Sequence, residues 1–152
     1  MTVGADGGNG VIVANGGRFG GYSLWVNHGV PTFSYNFVNV DMYRWKGTKK
    51  LTRGPHQLRF SFVYDGGGFG KGGVGTLSVD GLPRTICCTL VYFEGLDIGA
   101  DNASPVDDQY TVPNKFTGTI AQVVFKSSPM KLTVQQKTEF YRRLDAAGRG
   151  IQ

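Results

Sequence analysis

Leu58-Arg59-Phe60-Ser61-Phe62-Val63-Tyr64 alternates apolar and polar side chains and runs straight into Asp65-Gly66-Gly67-Gly68-Phe69-Gly70-Lys71-Gly72-Gly73; the alternation then resumes over Gly75-Thr76-Leu77-Ser78-Val79 and stops at Asp80-Gly81. Period two on both sides of a glycine-dense loop is the pattern of two antiparallel strands, because successive strand side chains take opposite faces. The loop fits G-x-G-x-x-G over Gly68-Phe69-Gly70-Lys71-Gly72-Gly73. That fingerprint holds a pyrophosphate on the amides of a helix that must follow it, and here a strand follows. A P-loop is excluded by Asp65 in place of its first glycine and Gly72 in place of the hydroxyl residue that meets magnesium. A kinase loop is excluded by Val74, one place early, and by the absence of H-R-D and D-F-G. The stretch is read as a long connection between strands, with glycine allowing close backbone approach.

The same period extends in both directions. Val11-Ile12-Val13-Ala14 reads as a buried strand stopped by Asn15-Gly16-Gly17. Tyr22, Leu24 and Val26 share a face, Asn27-His28-Gly29 turns the chain, and Phe33, Tyr35 and Phe37 share a face of the returning strand. Val40 to Trp45 is a strand ahead of the basic turn Lys46-Gly47-Thr48-Lys49-Lys50. Asp80-Gly81 is a type I′ hairpin signal, and Arg84 to Leu90 returns from it. Leu96-Asp97-Ile98-Gly99 is a short strand, Asp101 to Asn114 a loop carrying Pro105 and Pro113, and Phe116 to Phe125 a last long strand covered on both faces. The helical signal lies at residues 133–147, where Thr133 and Gln136 form a capping box, Phe140, Leu144 and Ala147 a stripe, and Gly148 a stop. The expected fold is all-β, a two-sheet antiparallel β-sandwich of jelly-roll type in a single domain over residues 1–152, the sandwich spanning about 10–126, with one C-terminal α-helix.

Composition narrows the functions. Glycine fills 24 of 152 positions without a collagen period, and 12% aromatic residues argue against disorder. The net charge of +5 favours acidic partners: nucleic acid, sulfated glycan or a phospholipid surface. The charges are scattered, with Lys49-Lys50 and Arg142-Arg143 as the adjacent basic pairs, which argues against a dedicated nucleic-acid footprint. Cys87 and Cys88 are sequence neighbours in a strand, too close between Cα atoms for an ordinary disulfide and without a zinc-ligand spacing. No signal peptide is visible and no apolar run approaches the roughly 20 residues of a membrane helix, so as written the chain reads as cytoplasmic.

Several motifs stand in a familiar order: Gly16-Gly17-Arg18-Phe19-Gly20-Gly21-Tyr22-Ser23-Leu24-Trp25-Val26, Tyr35-Asn36-Phe37, the Phe62 to Gly73 stretch, and Leu77-Ser78-Val79-Asp80-Gly81. They continue through Glu94-Gly95-Leu96-Asp97-Ile98-Gly99, Ser104-Pro105-Val106, Tyr110 and Phe116-Thr117-Gly118-Thr119-Ile120. In this order they resemble the C-terminal domain of large bacterial arylsulfatases, over about residues 10–126. The strand ending in V-D-G and the late F-T-G-x-I are similar to laminin-G and concanavalin-like jelly rolls, which implies a lectin- or glucanase-type sandwich. Sulfatase chemistry is not implied, because the C/S-x-P-x-R signature has no counterpart: Cys87-Cys88-Thr89-Leu90-Val91 lacks the proline and the arginine.

Glycoside hydrolysis needs paired carboxylates, and the two glutamates, Glu94 and Glu139, fall in a loop and a helix. His28 and His56 read as surface residues without a nucleophile. No cofactor is required; calcium is the candidate, since laminin-G-like sandwiches bind it at a loop rim and Asp97, Asp101, Asp107 and Asp108 supply hard oxygen ligands. The competing reading is that Asp97 caps a strand turn and the others are solvated. Arg18, Tyr64, Asp65 and Lys71 are the candidate rim for a sugar or sulfated ligand, against the alternative that Arg18 and Asp65 pair to tie two glycine loops together. Trp25 and Trp45 either stack on a sugar or pack in the core. The expected role is a stand-alone, non-catalytic binding or accessory module for carbohydrate or another anionic polymer. The alternative is a structural domain that self-associates into a homo-oligomer through its C-terminal helix.

Overall fold

A two-residue loop, His28-Gly29, joins the strands Gly20–Asn27 and Val30–Phe37, with Asn27 opposite Val30. Both loop residues have positive φ, 47° and 85°, which gives the type I′ geometry whose twist matches its flanking strands. The same device recurs at Asp80-Gly81, φ 49° and 87°, with Val79 opposite Leu82. The structure is a computed structural model describing residues 1–66, 72–88 and 95–127, with 134, 135, 138 and 142 beyond them, the side chains of 86–88 excepted. The expected helix over 133–147 therefore lies outside the described residues at all but four positions.

Apart from those four positions, the described residues are all-β, as the patterning predicts. The strands are β1 Thr2–Val3, β2 Gly10–Gly17, β3 Gly20–Asn27, β4 Val30–Phe37, β5 Asp41–Lys46, β6 Gly54–Pro55, β7 Leu58–Tyr64, β8 Gly73–Val79, β9 Leu82–Cys88 and β10 Leu96–Ile98. They pair antiparallel in a five-stranded sheet ordered β10-β2-β3-β4-β5, a three-stranded sheet β7-β8-β9, and the small pair β1-β6.

The two larger sheets meet through aromatic side chains. Phe33 of β4 stacks on Phe60 of β7 with ring centroids 3.4 Å apart, and Trp45 of β5 sets its edge against both rings. Trp45 is fully buried, with Tyr35 and Leu77 beside it. Its indole Nε1 donates 2.8 Å to the Gly75 carbonyl of β8. A Cβ at Gly75 would lie 2.5 Å from Trp45 Cζ2, so only glycine lets the indole lie this close to the strand. Both tryptophans are core residues, which decides against stacking on a sugar.

A second core forms where β2 bulges. Val11 pairs with Trp25 and Val13 with Leu24, so Ile12 is the extra residue, and Gly99 N donates to its carbonyl at 2.9 Å. The bulge turns Ile12 and Val13 together into a cluster with Val3, Val26, Leu51 and Phe116. On the opposite face Val11, Ala14 and Trp25 are covered by Val106 and Tyr110 from the loop at 100–114.

Two expectations are corrected. Asn15-Gly16-Gly17 does not stop the first strand: Gly16 pairs with Gly21 and Gly17 with Gly20. Phe116 to Phe125 is not a strand. It makes one isolated bridge, Thr119 with Thr2, just after Lys115 bridges Val11, while its other backbone bonds go to Asn9 and Gly99. Phe116, Gly118 and Ile120 keep period two, but the next inward residue is Val123, and Val124 and Phe125 are exposed rather than covered.

Candidate functional site

Alternation along β5 puts Trp45 into the core and leaves Arg44 and Lys46 on the outer face. Arg44 sits opposite Ser34 of β4. Above them passes the loop at 100–114, and its Asp107 is fully buried against this face. Arg44 Nε donates to Asp107 Oδ2 at 2.7 Å and Nη2 to Asp107 Oδ1 at 2.9 Å, a side-on fork that matches a planar carboxylate. Ser34 Oγ donates to Asp107 Oδ2 at 2.5 Å while accepting from Trp25 Nε1 at 2.8 Å, and Gln109 N donates to Asp107 Oδ1 at 2.8 Å. Burial works to raise the Asp107 pKa, but the bonds from Arg44, Ser34 and the Gln109 amide outweigh it and hold the carboxyl below the usual range. Arg44 is correspondingly raised, chiefly by its bond to Asp107.

The loop is fastened at other points too. Asn36 Nδ2 donates to the carbonyls of Gly17, Arg18 and Val106, and Arg18 N donates to Ser104 Oγ. Tyr110 OH donates 2.6 Å to Asp101 Oδ2 and accepts from Val106 N. Burial first, and then the Asp101 carboxylate, push the Tyr110 phenol up.

Where the edges of the two larger sheets approach, β5 and β9 bound a cleft of about 330 Å³ lined by Arg44, Trp45, Lys46, Arg84 and Thr85. Arg84 lies opposite buried Leu77 and so is on the face of β9 turned toward the five-stranded sheet, yet it is exposed. It makes no hydrogen bond or ion pair among the described residues. Lys46 Nζ is held 3.1 Å from Gln109 Oε1. Arg44 also donates from Nη2 to Asp108 Oδ1 at 2.5 Å, and that carboxylate is 81% exposed. Three cationic residues thus line one cleft, and the head groups of Arg44 and Lys46 are held from the loop side.

The residues expected from sequence are placed differently. Each of the four aspartates accepts hydrogen bonds from protein donors. Asp97 accepts from Asn102 N and Nδ2, Asp101 from Tyr110, Asp107 from Arg44, Ser34 and Gln109, and Asp108 from Arg44. Among the described residues no three His, Cys, Asp or Glu side chains are grouped to hold a metal ion. Arg18 lies in the turn between β2 and β3. Tyr64 ends β7, and Asp65 follows it with its amide bonded to the Gly72 carbonyl. No ion pair joins Arg18 to Asp65, and Lys71 lies outside the described residues.

Sequence reasoning missed Arg44, Lys46 and Arg84. Alternation around Trp45 was the available signal for the first two, but Asp107 is 63 residues from Arg44. His56 is also not a partnerless surface residue: its Nδ1 meets Asp80 and its Nε2 the Thr52 carbonyl. Among the described residues no helix is long and apolar enough to cross a membrane. Compared with known proteins, the chain matches no family model, no curated protein and no solved structure.

Proposed function

We propose that the chain is a non-catalytic binding module that takes an acidic polysaccharide, sulfated or carboxylated, in the cleft between β5 and β9. The observation that carries this is that Arg44, Lys46 and Arg84 all line one cleft of about 330 Å³, on a chain whose net charge is +5. Guanidinium groups bind sulfate and carboxylate through paired, directional N–H bonds, and like charges in a recess focus the field on an incoming anion. None of the lining side chains is a carboxylate, thiol or imidazole, so the cleft offers charge recognition rather than acid–base or nucleophilic work. The module is read as a jelly-roll sandwich similar to arylsulfatase C-terminal domains, the larger sheets being its two layers.

Isothermal titration with a sulfated hexasaccharide tests this. Arg84→Gln is expected to weaken binding about tenfold, the scale of one charge-assisted hydrogen bond. Arg59→Gln removes the same charge from the outer face of β7 and should change little. Equal losses in the two variants, or no binding by the parent protein, would overturn the reading.

A second reading, self-association, is favoured by Leu96 and Ile98, which are exposed on the edge strand β10. Sedimentation across a hundredfold concentration range would show it as a rising mass.

A further inference from the structure

Resting on that reading of the cleft, we infer that Asp108 is a built-in counter-ion that occupies the ligand's place on Arg44 and must be displaced when a sulfated glycan binds. A guanidinium has a side-on fork, Nε with Nη2, and an end-on fork, Nη1 with Nη2. Asp107 fills the side-on fork from a fully buried position, held also by Ser34 and the Gln109 amide. That contact is structural and fixes the plane of the Arg44 head group.

The end-on fork is the one left for a ligand. Nη1 has no hydrogen-bond partner among the described residues, and Nη2 spends its remaining N–H on Asp108 Oδ1. Asp108 has no other hydrogen bond there, and its side chain is 81% exposed. A tetrahedral sulfate or planar carboxylate can therefore bridge Nη1 and Nη2 only by replacing the Asp108 oxygen, a like-for-like exchange of one oxyanion for another. Arg44 is 21% exposed, so the exchange needs no opening of the core. Asp108 then sets a threshold: a lone weak anion gains little by replacing an equivalent oxygen, whereas a polymer that also reaches Lys46 and Arg84 gains contacts that Asp108 cannot supply.

A glycan is favoured over a nucleic acid because the aromatic residue of the cleft, Trp45, is fully buried and presents no face on which a base could stack.

The test is equilibrium binding of a sulfated hexasaccharide, a hexauronate and a single-stranded oligonucleotide to the parent chain, Asp108→Asn, Asp41→Asn and Arg84→Gln. Asp108 is exposed, so its amide variant should fold as the parent does, and thermal unfolding verifies this. Asp108→Asn is expected to tighten the sulfated ligand by up to about fivefold, the range of an exposed ion pair, while Asp41→Asn, with the same charge change elsewhere, does not. If the parent binds and Arg84→Gln weakens it but Asp108→Asn equals the parent, the counter-ion inference fails and the cleft stands. Equal tightening by Asp41→Asn would also overturn it, as a general charge effect. Absence of binding in every protein overturns both, and tighter binding of the oligonucleotide overturns the glycan assignment.

Discussion

His56 Nδ1 lies 2.6 Å from Asp80 Oδ2, and the other ring nitrogen, Nε2, lies 2.6 Å from the Thr52 carbonyl. Both neighbours are acceptors, so both nitrogens must donate, which only the imidazolium can do. The Asp80 bond first, and then the Thr52 carbonyl, raise the His56 pKa above its ordinary value. Asp80 is lowered, first by the Gln57 amide and then by His56. A raised histidine contributes stability that is fully present below its unfolded value of about 6.5 and is lost as pH rises through the folded pKa. The Asp80 contribution runs the other way and is lost as pH falls through its lowered value. Melting temperature should therefore decline above about pH 6.5 in the parent chain, and calorimetry of His56→Gln should show that slope removed.

The Arg44–Asp107 contact predicts a contrast between adjacent residues. Asp107→Asn leaves a largely shielded guanidinium facing a neutral amide, and breaking a buried ion pair costs about 3 kcal/mol. Asp108→Asn removes an exposed partner and should cost less than about 1 kcal/mol. Denaturant unfolding of the two variants measures both, and equal costs would show that the loop is not anchored at Asp107.

Gly75→Ala tests the joint between the larger sheets. A Cβ 2.5 Å from Trp45 Cζ2 must push the indole or the strand away and strain the bond from Trp45 Nε1 to the Gly75 carbonyl. Overpacking of this kind costs about 1–3 kcal/mol, and the tryptophan emission should shift with it.

Val38 offers a gain. It has φ 44° in the turn between β4 and β5, next to Asn39 at φ 59°. A β-branched residue is strained in the left-handed region, where asparagine is tolerated. Val38→Asn should stabilise the fold by about 1 kcal/mol, read as a higher denaturation midpoint with an unchanged slope.

What the sequence disclosed was local. His28-Gly29 and Asp80-Gly81 announce their turns because the backbone conformation is a property of the two residues themselves, and Leu58 to Tyr64 announces its strand through alternation. Arg44 and Asp107 could not be paired from sequence, because their meeting depends on where a 14-residue loop, 101–114, crosses the five-stranded sheet. His56 was misjudged for the same reason, its partner coming from a hairpin of the three-stranded sheet. The aspartates of the loop were recognisable as hard ligands, but their donors are spread over β4, β5 and the loop itself. Phe116 to Phe125 shows the reverse failure: it has the composition of a strand, yet Asn9, Gly99 and Thr2 claim its backbone groups one at a time.

The bonds from Ser34 and Arg44 to Asp107 span 73 and 63 residues, while β2 to β5 are joined by turns of two or three residues. The meander can zip from its hairpins at low loop-closure entropy, with Ser34, Asn36 and the Trp25 indole still hydrated, whereas the loop docks only after a long segment has closed. The last act of folding is thus a dehydration of polar groups already in register. In pulsed hydrogen exchange, amides of β3 and β4 should gain protection before those of Asp101 and Gln109.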